Sequence, residues 1–269
     1  MKEIIIPVLI VGGLGLLFGL LLAFASYIFA VKQDDRVEKI SKVLPGANCG
    51  ACGYAGCAAY AAAVVENGAP VNACSVGKAA VAEKVADIMG VKAEAAAERV
   101  AHVKCRGTCE NTTAKYDYVG VQDCTALSKL AGGQKHCRNA CLGFGTCTTV
   151  CAFDAISVHD GVASVNEELC TGCGACMGVC PHHVIELIPK SAKVRVNCSN
   201  IEKGQSANRH CKASCIGCRM CEKVCESDAI HVSDNVASID YSKCTFCGKC
   251  SEKCPKKVIS IKDNLSSDE

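Results

Sequence analysis

"CTGCGACMGVCP", residues 170–181, returns seventy-four positions later as "CTFCGKCSEKCP", residues 244–255. Both read C-x2-C-x2-C-x3-C-P. Three thiolates two residues apart can wrap one cube of iron and sulfide, while a fourth, three residues on and followed by proline, is placed to reach a second cube. A segment of this kind folds around inorganic clusters and takes little of its stability from large apolar side chains.

The same offset holds further out. Adding 74 to Cys137, Cys141, Cys147, Cys151, Cys170, Cys173, Cys176 and Cys180 lands on Cys211, Cys215, Cys221, Cys225, Cys244, Cys247, Cys250 and Cys254. "DAISVHDGVASV" (154–165) matches "DAIHVSDNVASI" (228–239), and the alternating run, turn and second run of each predict a β-hairpin. Crossed ligation in the second copy groups Cys215, Cys218, Cys221 and Cys254 around one [4Fe-4S] cluster, and Cys225, Cys244, Cys247 and Cys250 around another. In the first copy Cys151, Cys170, Cys173 and Cys176 make one set. Cys141, Cys147 and Cys180 are left with Phe144 where the second copy has Cys218. Cys137, four residues before Cys141, is the nearest substitute. A three-iron cluster on three ligands is the alternative, and Cys137 would then be free to join Cys105, Cys109 and Cys124 in a sixth cluster. Cys211 beside a complete set argues against assigning Cys137 by position alone, and Cys198 has no place in either run.

The chain has 269 residues, 25 cysteines, no tryptophan and a net charge of +2. So few large aromatic groups require disulfides or metal as staples, and the compartment decides which. Ile4 to Val31 carries no charge over 28 residues, more than the roughly 20 a membrane-spanning helix needs. Lys32, Arg36, Lys39 and Lys42 follow it against Lys2 before it, which predicts that the cysteine-bearing part stays in the reducing cytoplasm. An uncleaved signal peptide feeding a disulfide-rich secreted domain is the plainer alternative, and the odd cysteine count speaks against it. Gly15 and Gly19 have the spacing that lets a neighbouring membrane helix approach; no strand precedes them to make a nucleotide loop.

The expected order is an anchor over 1–31, a charged juxtamembrane helix over 32–43, a small cysteine module over 44–90, and a connector over 91–134. The connector's "KAEAAAERVAHV" reads as helix-forming. Two modules then span 135–190 and 211–262, joined by 191–210, before an acidic tail at 263–269. In the first module "LPGANCGACGYAGCAAYAAAVVENGAPVNAC" gives C-x2-C-x4-C-x16-C at Cys49, Cys52, Cys57 and Cys74, a four-thiolate set for one cluster.

That pattern resembles the iron–sulfur domain of the B-type subunit of the Rnf complex, the membrane-bound ion-translocating ferredoxin:NAD⁺ oxidoreductase, and the tandem runs resemble two-cluster ferredoxins. Phe144, and Ala152 and Glu226 where ferredoxins usually have proline, depart from the pattern. The resemblance implies an α+β protein with a single N-terminal transmembrane helix, a small helical iron–sulfur domain and two ferredoxin-like modules in tandem. It implies soluble ferredoxin as electron donor, partner subunits in the cell membrane as acceptors, and five or six [4Fe-4S] clusters, with no flavin or nucleotide in this chain.

No triad, paired carboxylates or nucleotide loop can be argued from spacing, so the chain reads as an electron wire, entered at the C-terminal double module and left through the Cys49–Cys74 cluster near the anchor. Among eight Lys or Arg between Lys190 and Lys223, Lys203, Arg209, Lys212, Arg219 and Lys223 form a candidate docking patch for an acidic ferredoxin; a solvated loop face is the ordinary alternative. Low net charge and few aromatic side chains exclude nucleic acid as a partner. His136 and His210 precede equivalent cysteines and read as surface or supporting residues. A ferredoxin-like subunit of another membrane redox enzyme and a structural zinc protein are the rival readings.

Overall fold

The computed structural model describes residues 2–28, 34–93 and 97–262, with side chains of the first helix described at 5–6 and 11–25. Helix α1 runs Lys2–Ile28. Leu16, Phe18, Leu22 and Phe24 on it are exposed, and nothing lies within 4 Å of a Cβ placed on Gly15 or Gly19. Among the described residues no helix is long and apolar enough to cross a membrane. The anchor expected over 1–31 lies partly, and the acidic tail at 263–269 wholly, outside those residues.

Helix α2 (Asp35–Val43) starts where the Asp34 carboxylate accepts the Arg36 backbone N–H at 2.8 Å, capping the first turn. Its charged face stays in water, while Val37 and Ile40 pack onto α3 (Cys57–Asn67) and α4 (Lys78–Met89) around Tyr60, Val64 and Val85. The juxtamembrane segment is thus part of the first module's core. Fully burying Ile40 is worth about 1.5–3 kcal/mol. The Tyr60 hydroxyl donates to the Pro70 carbonyl at 2.6 Å and fixes the loop that carries Cys74.

Strand β1 (Arg99–Val103) overturns the expectation of a helix through "RVAHV". Its Val100, Ala101 and Val103 are buried by antiparallel pairing with β4 (Ile185–Pro189), which outweighs the local preference. After the short helices α5 (Cys124–Ser128) and α6 (Thr146–Thr149) come the hairpin β2 (Ile156–His159) with β3 (Val162–Val165), helix α7 (Ala175–Val179) and β4. The second copy repeats the order: β5 (Val194–Val196), α8 (Gly204–His210), α9 (Met220–Lys223), hairpin β6 (Ile230–Ser233) with β7 (Val236–Ile239), α10 (Lys249–Glu252) and β8 (Ile259–Ile261). β5 pairs with β8 as β1 does with β4. Both hairpins stand where the sequence predicts them, and the fold is α+β.

The two copies meet across a seam. His102 on β1 hydrogen-bonds the Val196 carbonyl of β5 at 3.1 Å, and the His136 and His210 rings stack 5.6 Å apart. A buried Arg195 ties Glu167 of the first copy to the second, with Lys262 on the same carboxylate at 3.1 Å.

Candidate metal centres

In the first module Cys49, Cys52, Cys57 and Cys74 line one cavity together with Leu44, Asn48 and Tyr60. The loop through the first two thiols turns at Gly50 and Gly53, whose φ values of +71° and +86° favour glycine. Asn48 accepts the Cys57 N–H at 2.8 Å, so the third thiol starts α3 at a fixed point. The Cys74 sulfur accepts the Gly77 N–H at 3.4 Å.

In the second ferredoxin-like copy two cavities group the eight thiols. One cavity is lined by Cys215, Cys218, Cys221 and Cys254, another by Cys225, Cys244, Cys247 and Cys250. In the first copy Cys151 and Cys170 pack against the core that holds Cys176, whose thiol is pushed up by burial and then by Cys173, Cys170 and Cys151. Backbone N–H groups reach sulfurs at matching places: Ala155 on Cys151 and Ala229 on Cys225, both at 3.3 Å.

In the remaining first-copy set the cavity lining differs from the sequence expectation. Cys141, Cys147 and Cys180 share their cavity with Cys124, and Cys137 is elsewhere. Cys124 opens α5, capped by Asp123, whose carboxylate accepts the Ala126 N–H at 2.7 Å and the Thr146 hydroxyl at 2.8 Å; that hydroxyl accepts the Cys124 N–H at 2.7 Å. This latch joins α5 to α6, so a residue far back in sequence occupies the gap left by Phe144. Phe144 packs edge-on against Tyr118, ring centres 5.5 Å apart. The expected grouping of Cys105, Cys109 and Cys124 with Cys137 is likewise not assembled.

Cys137 instead packs with Cys211, Ala140 and Cys105. Burial pushes its thiol up to about 12, and Cys105, Cys198 and Cys211 add to that rise. Cys198, unassigned from the sequence, packs in the neighbouring core of the second copy, where its sulfur accepts the Cys215 N–H at 3.2 Å. Cys109 is exposed and lines none of these cavities; its N–H donates to the Asp160 carbonyl at 3.1 Å.

Burial likewise raises Cys147 to about 12 and Cys176, Cys221 and Cys250 to about 11, with neighbouring thiols adding to it. Burial and crowding disfavour ionisation of these thiols together, and an iron–sulfur cluster held by them would supply the missing countercharge. All-thiol donor sets, peptide N–H groups aimed at sulfur and cysteine-lined cavities fit iron–sulfur clusters. Among the described residues no three His, Cys, Asp or Glu side chains close on a point as they would around a single ion.

Lys203, Arg209, Lys212, Arg219 and Lys223 are all exposed, whereas Arg195 is buried in its ion pair. Exposed Cys218 and Met220 flank Arg219. At the other end, a cleft lined by Cys74, Lys78, Glu98, Arg99, Thr171 and Gly172 sets the first module against the Cys170–Cys173 turn. Gly172 has φ +69°, and a Cβ there would meet the Arg99 carbonyl oxygen at 2.3 Å, so only glycine allows this approach.

Family models describing a putative Fe-S cluster, a 4Fe-4S binding domain and a 4Fe-4S dicluster domain match residues 44–76, 163–186 and 214–258. The chain is 46% identical over 91% of its length to the B-type subunit of the Na(+)-translocating ferredoxin:NAD(+) oxidoreductase complex of Acetobacterium woodii, covering 74% of that protein. It is 41% identical over 88% of its length to the B-type subunit of the ion-translocating oxidoreductase complex of Methanosarcina acetivorans, covering 90% of it. It is 42% identical over 91% of its length to the B-type subunit of the proton-translocating ferredoxin:NAD(+) oxidoreductase complex of Clostridium ljungdahlii, covering 87%. With the module order, the thiol sets and these likenesses in agreement, the chain belongs to the family of B-type subunits of ion-translocating oxidoreductase (Rnf) complexes.

Proposed function

We propose that the chain is the electron-transfer subunit of a membrane-bound, ion-translocating ferredoxin:NAD⁺ oxidoreductase, taking electrons from reduced ferredoxin and relaying them to membrane partner subunits. The observation that carries this reading is the distribution of cysteine-lined sites along the folded region from Cys49 to Cys254. The clusters would supply one-electron acceptance and release by outer-sphere transfer. The chain's residues fix their spacing, exclude water and direct peptide N–H groups at sulfur.

Five sets are assigned: Cys49/Cys52/Cys57/Cys74, Cys124/Cys141/Cys147/Cys180, Cys151/Cys170/Cys173/Cys176, Cys215/Cys218/Cys221/Cys254 and Cys225/Cys244/Cys247/Cys250. Electrons enter at the C-terminal copy, where exposed Cys218 adjoins exposed Arg219 and where Lys212 and Lys223, within six residues of it in sequence, are exposed too. Complementary charge there would speed encounter with an acidic ferredoxin. They leave through the first module, a route supported by the cleft that Cys74 shares with Thr171 and Gly172. The N-terminal segment 1–31, only part of which is described, serves as the membrane anchor, a reading supported by its uncharged run and the exposed apolar side chains Leu16, Phe18, Leu22 and Phe24, with the clusters on the cytoplasmic side. In the assembled complex, Cys57→Ala should leave reduction of the C-terminal clusters by ferredoxin intact while abolishing NAD⁺ reduction. Normal NAD⁺ reduction by that variant would refute the exit.

A further inference from the structure

We propose that Cys105, Cys137, Cys198 and Cys211 hold a further [4Fe-4S] cluster at the seam between the two ferredoxin-like copies, each copy contributing two ligands. The inference extends the electron-wire reading and rests on it.

The site is built by the internal symmetry. The Cys105 sulfur accepts the N–H of Gly107 at 3.3 Å and of Cys141 at 3.3 Å. The Cys198 sulfur accepts the N–H of Asn200 at 3.5 Å and of Cys215 at 3.2 Å. Each donor pair is the residue two positions on and the first thiol of that copy's run. The strands obey the same equivalence: Lys104 N–H donates to the Val184 carbonyl and Asn197 N–H to that of Val258, both at 2.7 Å. Cys105 and Cys198 are therefore counterparts, as Cys137 and Cys211 are by the 74-residue offset.

Cys137, Cys198 and Cys211 are each only 6% exposed, and all four thiols are unpaired. A lone buried cysteine commonly acts as a small apolar filler. Here Cys105, Cys137 and Cys211 pack together across the two copies, Cys198 is the counterpart of Cys105, and both counterparts carry doubly hydrogen-bonded sulfurs, which is what a cluster asks of its ligands. The surroundings are rigid. Thr112 bridges to Cys211 and its hydroxyl donates to the His210 carbonyl at 2.8 Å, Lys212 N–H donates to the Asn111 carbonyl at 2.7 Å, and Ser199 donates to the Asn139 carbonyl at 3.0 Å. Buried Lys135 donates to the Gly107 carbonyl at 2.7 Å and supplies a cation beside the site. A cluster here joins the two double modules into one path, and it leaves Cys109 as the single unassigned cysteine of the 25.

The test uses the full chain, purified anaerobically in detergent, with iron and acid-labile sulfide measured per chain. The expected result is about 24 of each in the parent, about 20 in Cys198→Ala and in Cys211→Ala, and no change in Cys109→Ala. The reduced-state EPR of the two seam variants should lose one component and keep the others, which separates loss of one cluster from failure to fold. About 20 iron in the parent, or unchanged iron in both seam variants, overturns the sixth cluster and leaves the wire standing. Absence of iron and sulfide would sink the wire reading itself.

Discussion

Lys135→Met would remove the one buried lysine that stands among the thiol sets of the described residues. Its ammonium donates to the Gly107 carbonyl at 2.7 Å and the Gly161 carbonyl at 2.6 Å, and the Gly107 N–H in turn reaches the Cys105 sulfur at 3.3 Å. One residue's backbone thus separates the cation from a proposed cluster ligand. At roughly 8 Å and an effective dielectric of about 20, a unit charge contributes about 2 kcal/mol. For a one-electron couple that is on the order of 90 mV. Reduction adds negative charge, so removing the cation lowers the potential of the clusters served by Cys105 and Cys141. The counterpart of Lys135 in the second copy, Arg209, is exposed, and Arg209→Met should shift potentials far less because solvent screens it. The two orphaned carbonyls would cost stability of about 1–3 kcal/mol each, less where water reaches them. An anaerobic redox titration followed by EPR, on samples with matched iron content, reads the shift directly. A change below about 20 mV, or an upward one, would contradict the role given to Lys135.

Cys124→Ala should cost the first copy one cluster's integrity, leaving a three-iron species or none, and adding Phe144→Cys should restore four irons by recreating the C-x2-C-x2-C run; Mössbauer spectra distinguish these. Arg195→Met should destabilise the seam by about 2–3 kcal/mol, measured as urea midpoint at constant slope, because it leaves Glu167 half buried with only Lys262 beside it. Burial alone would raise the Glu167 carboxyl, but hydrogen bonds from Arg195 and Lys262 prevail and hold it below its ordinary range. That stabilisation is present above about pH 4.3 and fades as acid protonates the carboxylate. His102 behaves in the same sense, since burial lowers it to about 4: its contribution is complete above about pH 6.5 and declines toward pH 4. Reversing Lys212, Arg219 and Lys223 to Glu should slow ferredoxin association at low salt and erase its ionic-strength dependence; an unchanged rate would dismiss the patch.

Much of this fold was legible because ligand spacing and the 74-residue offset are discrete signals. The hairpins, the crossed sets of the second copy and the Cys49–Cys74 loop required nothing from long-range packing. The first copy was harder. Thirty-two residues separate Cys105 from Cys137 but thirteen separate Cys198 from Cys211, so a constant offset cannot align Cys105 with Cys198. The longer segment carries Cys124 to the position opposite Phe144 through the Asp123–Thr146 latch, and Met220 occupies the place of Thr146 in the second copy. Proximity in sequence favoured Cys137, whereas register across the seam commits it to Cys211. Arg99–Val103 escapes a local reading for a related reason: its strand exists only because β4 offers an edge that propensity does not record.

The electron-wire function is tested most directly by counting the electrons that the anaerobic full chain accepts from reduced ferredoxin, and then following their departure once partner subunits and NAD⁺ are supplied. Uptake of several electrons per chain, approaching about one for each four-iron cluster, is predicted, with prompt reoxidation in the complex. A chain that carries its clusters yet takes no electrons from ferredoxin, or holds them while the complex turns over, would contradict that function.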